Sequence, residues 1–168
     1  MVVVSESWSG DYAAMLIALH AYRSHSSIMA FHEQLPDRPI ILVLTGTDLY
    51  RDIAVHGEVL DSMEVADQLV VLQSSALDSI PVHLRPKARV IYQSVQVDTP
   101  ERVLSENFQV VVIGHLREEK DPFCIARSLP LMPFNCKIKV LHLGMAMNEQ
   151  MERTAKAYSD TCLLYTSD

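Results

Sequence analysis

Residues 40 to 48 read Ile40-Ile41-Leu42-Val43-Leu44-Thr45-Gly46-Thr47-Asp48, a continuous branched apolar run that ends abruptly in a polar turn. An unbroken run of this kind, without polar alternation, predicts a strand covered on both faces, which is the habit of parallel sheets. The flanks agree. Upstream, AMLIAL (Ala14 to Leu19) is a short apolar run that ends at His20-Ala21, and Ile28, Phe31 and Leu35 after it keep helical spacing. Downstream, Val59, Met63 and Ala66 mark a helix over Glu58 to Ala66, and Leu69 to Leu72 is apolar again. A small helix around Ser74 to Ser79 and a strand over Ala88 to Tyr92 continue the alternation. Strand and helix in turn, without hairpin signals, predict an α/β protein with a parallel sheet and crossover helices.

The logic then restarts. Gln93 to Asn107 is mostly polar and holds Pro100, and beyond it FQVVVI (Phe108 to Ile113) is a second strong strand. A loop GHLREEKD, a helix from Pro122 to about Met132, a strand over Ile138 to Leu143 and a helix from about Asn148 to Tyr158 follow. Asp121 before Pro122 reads as a helix start, with an acceptor at the N-cap and a preset φ after it. The expected organisation is one domain with its hinge over residues 1–107, the start of another over 108–161, and a non-native tail over 162–168. That last segment, CLLYTSD, resembles the translated end of a transposon used in preparing sequencing libraries, so the natural chain is expected to continue past it; a genuine short strand is the alternative.

Composition narrows the function classes. The 168 residues are 49% hydrophobic and 21% charged with a net charge of -7, enough apolar content for a core. The 14 basic residues are scattered, which provides no footprint for a phosphate backbone and makes nucleic acid an unexpected partner. No apolar run approaches the roughly 20 residues of a membrane span, and the N-terminus lacks a signal-peptide layout. A cytoplasmic location is the default expectation. Cys124, Cys136 and Cys162 lack metal-type spacing and are expected to be buried free thiols. His25 and His32 share a helix face without a third ligand, so no metal site is expected. His56 and His83 read as loop residues and His142 as a packed strand histidine.

Ligands of open parallel sheets bind beyond the carboxyl ends of the strands. The polar loops there are His20 to Ser24, Thr45 to Asp52, Tyr92 to Ser94 and Gly114 to Asp121. In the last, Gly114 allows a tight turn and a helix N-terminus is expected to follow, with Arg117 and Lys120 beside it, together a corner suited to an anion. A solvated turn, its cations paired with Glu118 and Glu119, is the competing reading. Gly46 is expected to be required by the turn it occupies. Asp48 and Arg51 either position a substrate or cap and pair with each other at a short helix start. His20, Arg23 and Ser24 are candidates for holding a substrate, or Arg23 is a surface charge; its guanidinium suits two oxygens of a phosphate-bearing molecule.

The ordered set LTGTD, ADQLVVLQSSALD, KARVIYQSV and VVIGHLREEKDP is similar to the GT-B glycosyltransferases that use nucleotide sugars. More narrowly, ALHAYRS, VLTGTDLYRDI, ADQLVVLQ, ARVIYQS, GHLREEKDPF and VLHLG resemble the selenosugar synthases of selenoneine biosynthesis, which join selenophosphate to the sugar of a UDP-sugar. The resemblance implies two Rossmann-like parallel-sheet domains of GT-B type, both incomplete in this chain, with a strand and glycine-rich loop before Met1 and a glutamate-containing motif after Tyr158. It implies that the donor diphosphate lies on Gly114, His115, Arg117 and Lys120, with Thr45 and Gly46 near the donor sugar, and that His20, Arg23 and Asp48 face the chemistry from the first domain. It also implies that the chain is inactive by itself. His115 stands where the wider family carries arginine, and Thr45 where it carries histidine. No cofactor is implied beyond the substrate UDP-sugar. A transferase acting on a hydroxyl acceptor, a sugar-nucleotide epimerase and a non-catalytic nucleotide-sugar-binding remnant are the alternatives.

Overall fold

The computed structural model describes residues 2–96, 108–133 and 136–159, the backbone of Glu119, and the backbone of the strand Leu163–Thr166. The chain divides into two compact units, Met1–Val97 and Asp98–Asp168. The expected boundary at 107 and most of the polar stretch Gln93 to Asn107 lie outside the described residues, as does Cys162.

In the first unit four strands, β1 (Leu16–Leu19), β2 (Ile40–Val43), β3 (Gln68–Val71) and β4 (Ala88–Val90), form one sheet in sequence order, all parallel. Helices α1 (His25–Gln34), α2 (Gly46–Tyr50) and α3 (Gly57–Val65) and three 3-10 turns, Asp52–Ala54, Ser74–Ser79 and Val82–Lys87, connect them. The α/β class with a parallel sheet is therefore as expected. His83 lies in the last of these turns rather than in a loop and pairs with Glu64 at 2.6 Å.

The core forms because each element presents one apolar side to the same cluster: Ile28 and Phe31 from α1, Ile40 and Leu42 from β2 with Leu44 just beyond it, Val59 and Met63 from α3, Leu69 and Val71 from β3. Each such side chain, fully buried, contributes about 1.5–3 kcal/mol. The run from Ile40 to Leu44 is not covered equally on both sides: Ile40, Leu42 and Leu44 are buried, whereas Ile41 and Val43 are half-buried. The pleat sends alternate residues to opposite faces, and the deepest packing is on one of them. Trp8 closes the cluster edge-on against Phe31 at a centroid distance of 5.2 Å. Buried Ser62 ties α3 to α1: its hydroxyl donates to Ala21 O at 3.0 Å, and His25 Nδ1 lies 3.0 Å from Ser62 Oγ.

In the second unit β5 (Phe108–Ile113), β6 (Ile138–Leu143) and β7 (Leu163–Thr166) form a parallel sheet in sequence order, with α4 (Cys124–Ser128) and α5 (Glu149–Ser159) between them. The backbone of the tail thus pairs with β6. An apolar, β-prone segment at an open sheet edge pairs readily whatever its origin. Leu116, Phe123, Met151 and Ala155 form one small core, and Ala126 and Val140 another.

Two local expectations are corrected here. Asp121 is not a helix N-cap: it adopts a left-handed conformation (φ 42°) at the end of the 3-10 turn Glu118–Lys120, and α4 begins only at Cys124. Its carboxylate is held instead by Arg127 at 2.7 Å, and a carboxylate engaged sideways does not cap. Cys124 and Cys136 are both exposed rather than buried, because the small core at this place is filled by Phe123 and Ala126, the neighbours of Cys124.

Candidate functional site

At the carboxyl end of β1 the chain turns at His20, which has a positive φ of 76° and is buried. That conformation is uncommon for a residue with a side chain and is retained where surrounding structure over-determines it. His20 N–H donates to Val43 O at 3.0 Å, and the His20 carbonyl accepts from Ser24 N–H at 3.0 Å. Ser24 Oγ donates to Leu19 O at 2.8 Å, so its hydroxyl closes the turn.

At the carboxyl end of β2, Thr45 opens α2, and Thr45 N–H donates to Asp48 Oδ2 at 2.7 Å. Asp48 is fully buried, and its Oδ1 lies 2.6 Å from His20 Nδ1. The 3-10 turn that follows adds Asp52, also buried, with Oδ2 3.8 Å from His20 Nε2. Arg51 Nε donates to Asp52 Oδ1 at 2.7 Å. This hydrogen bond holds the Asp52 carboxyl below its ordinary pKa, against the opposing effect of burial. Of the alternative in which Asp48 and Arg51 cap and pair at a short helix start, the capping is present, with Asp48 on the Thr45 N–H, while Asp48 also faces His20 and Arg51 bonds Asp52.

The structure thus brings His20, Asp48, Thr45 and Gly46 together and adds Asp52, which the sequence reading left out. The backbone N–H of Arg23 faces His20 Nδ1 at 3.4 Å, while the residue itself is exposed. Gly46 is not required by its turn. It occupies the first position of α2 without a positive φ, and a Cβ there would meet only the Tyr50 ring, at 3.7 Å, an ordinary contact.

The second unit assembles its loop differently. Gly114 follows β5 with φ 149°, and Gly144 follows β6 with the same value. The two loops approach so closely that a Cβ on Gly144 would collide with the Gly114 carbonyl. His142, a buried strand residue as expected, donates from Nε2 to that carbonyl at 2.8 Å. Met145 N–H donates to His115 Nδ1 at 3.2 Å, which leaves Nε2 as the protonated nitrogen of the neutral ring and the one able to donate outward. Lys120 Nζ stands over Gly114, 3.2 Å from where a Cβ would be. Neither Lys120 nor Arg117 has an ion-pair partner among the described residues. The helix N-terminus expected behind this corner is absent: a single 3-10 turn follows, and α4 is only five residues long.

Both clusters thus stand where open parallel sheets bind ligands, beyond the carboxyl ends of their strands. The fold class these features define is α/β, with Rossmann-like parallel sheets. No family model matches the chain, and no curated protein matches it. Among solved structures it is similar to Anabaena HepE in complex with UDP-glucose, with a TM-score of 0.63 and 12% identity over 91% of this chain and 48% of that one. It is also similar to the lipopolysaccharide outer core galactosyltransferase WaaB in its apo form, with a TM-score of 0.55 and 13% identity over 90% of this chain and 43% of that one. The chain spans about half the length of either, and at these identities the likeness concerns the fold. No described helix is long and apolar enough to cross a membrane.

Proposed function

We propose that this chain is part of a glycosyltransferase that transfers a sugar from a UDP-sugar, and that its acceptor is selenophosphate, giving a selenosugar. The observation that carries the first step is Lys120 Nζ, without an ion-pair partner among the described residues, over the bare backbone of Gly114, at the carboxyl end of a strand in a fold similar to that of a protein bound to UDP-glucose. A cation beside a glycine, where no side chain blocks approach, suits the diphosphate, whose charge grows as the glycosidic bond to UDP breaks. Arg117 and the outward Nε2 of His115 add donors on the same loop.

In this reading the first unit supplies the acceptor side. Arg23 is exposed beside His20 and suits the oxygens of selenophosphate. The His20 and Asp48 pair orients the turn that carries it. A selenium nucleophile needs little deprotonation, so positioning and charge stabilisation carry the rate. The motifs ALHAYRS and GHLREEKDPF support this acceptor over a hydroxyl, and the reaction is assigned to the cytoplasm.

Incubating the full-length parent with UDP-N-acetylglucosamine and selenophosphate, then looking for a selenium-containing sugar by mass spectrometry, tests the proposal. UDP release with a hydroxyl acceptor only, as the likeness to a galactosyltransferase would favour, discards the selenium step while keeping sugar transfer. UDP-sugar binding without turnover discards both.

A further inference from the structure

We infer that Tyr50 and Gln73 form a binding shelf for an uncharged hexopyranose beyond the carboxyl ends of β2 and β3. Tyr50 is the last residue of α2, and Gln73 follows the end of β3 by two positions. Gln73 Nε2 donates to Tyr50 Oη at 2.8 Å across 23 positions of sequence, so the two loops meet through these side chains. One turn earlier in α2, on the same face, Gly46 leaves its backbone bare, and the Tyr50 ring edge lies 3.7 Å from where a Cβ would be. The ring is thus seated at one end and its hydroxyl is held at the other, yet the residue stays 54% exposed. A tyrosine fixed in this way gives up little further rotational freedom when a ligand lies on it.

The hydrogen-bonding groups that face outward are not spent. A phenol has one proton to give and can also accept; Tyr50 Oη accepts from Gln73 and keeps its proton. A side-chain amide has two N–H donors and a carbonyl oxygen; Gln73 uses one N–H and keeps Oε1. Neither side chain has another hydrogen-bond partner among the described residues. A donor and an acceptor at the rim of an exposed ring face complement a pyranose, whose neighbouring hydroxyls both give and take and whose C–H groups make one face apolar. Charge points the same way. Ser74 and Ser75 beside Gln73 are exposed hydroxyls, Asp48 is fully buried, and Arg51 Nε is turned to Asp52. A neutral shelf suits a sugar, whereas Lys120 and Arg117 of the second unit suit its phosphate. The inference deepens the proposed sugar transfer and rests on it for its purpose, but sugar binding is measured without nucleotide, so the two can fail separately.

The test titrates the whole nitrogen-15-labelled chain with free N-acetylglucosamine and follows its amide signals. Saturable shifts at residues 46–50 and 72–75 are expected, with millimolar affinity. Tyr50→Phe, which keeps the ring, and Gln73→Ala should each weaken binding by about threefold to tenfold, and Tyr50→Ala should abolish it. Unfolding midpoints of Tyr50→Phe and Gln73→Ala should match the parent's, whereas a purely structural contact would move the midpoints and leave sugar affinity alone. Inorganic phosphate at the same concentration should leave these amides in place. No saturable shift there, binding indifferent to the Tyr50 substitutions, or displacement of the sugar by phosphate overturns the inference. Sugar shifts at the shelf with no UDP shifts at residues 114–120 would keep the inference and discard the donor site; the reverse would discard the shelf alone.

Discussion

Gly144 packs against the carbonyl of Gly114 with no room for a Cβ, and both residues hold φ at 149°. The turn after β5 and the turn after β6 therefore brace each other, and His142 fastens the same carbonyl from below. Gly144→Ala combines a forbidden backbone with a collision against backbone atoms. It is expected to destabilise the second unit by ~2 kcal/mol or more. Gly46→Ala, with space beside Tyr50 and a better helix former in place, is expected to be neutral to stabilising by up to ~1 kcal/mol. Urea unfolding of the two variants checks the contrast.

Asp48 joins two structural duties, accepting from Thr45 N–H and facing His20. Asp48→Ala leaves the N–H of Thr45, the N-cap of α2, without its acceptor and removes the buried carboxylate beside His20. A loss of ~2–4 kcal/mol is expected. Arg51→Ala removes a partner that is half-exposed and should cost less. Chemical denaturation ranks the two, and an equal cost for both would contradict the burial argument.

Lys87 Nζ donates to Glu64 O at 2.8 Å and Ala66 O at 2.7 Å, at the end of α3. Burial lowers its pKa below the ordinary 10.5, with Glu64 and Asp67 opposing. Over the alkaline window between the folded and unfolded pKa values the unfolded chain holds more protons. This residue therefore makes stability rise with pH there. Lys87→Met should remove that alkaline rise, seen by comparing unfolding midpoints of the variant and the parent across the window.

Lys120→Ala in the full-length parent tests the diphosphate assignment directly. A charge-assisted bond contributes about 1.5–3 kcal/mol, so UDP affinity should fall roughly tenfold to a hundredfold, with the unfolding midpoint unchanged because Lys120 is exposed and has no ion-pair partner among the described residues. Calorimetric titration with UDP reads the outcome. Undiminished affinity would remove Lys120 from the proposed donor site.

How far the sequence could be read differs by element. The strands at Ile40 to Leu44, Phe108 to Ile113 and Ile138 to Leu143 were legible because apolar runs of branched residues have few alternatives. The helices α1, α3 and α5 were legible by their spacing. The small helix expected around Ser74 to Ser79 is present as a 3-10 turn and α2 was offered only as an alternative, whereas the 3-10 turns Asp52–Ala54 and Val82–Lys87 were not legible, since one turn of helix has no period to detect. Asp121-Pro122 misled because a capping residue and a proline specify a helix start only if the carboxylate is free to cap, and Arg127 holds it. At the candidate site His20 and Asp48 were named from their loops. Asp52 escaped because its importance rests on facing His20, 32 positions away along the chain, and nothing local reports that.

Hydrophobic order along the chain by itself determined the parallel α/β plan and which loops would gather at the carboxyl ends of the strands, because burial and pleating act on residue type and spacing. Only the tertiary structure decided that His20 takes a left-handed turn between two buried aspartates, that Gly144 rather than Gly46 is the indispensable glycine, and that Lys120 lies over Gly114. The first two depend on the distance between segments far apart in sequence and the third on the path of one irregular loop, and a distance in space is set by packing, not by order.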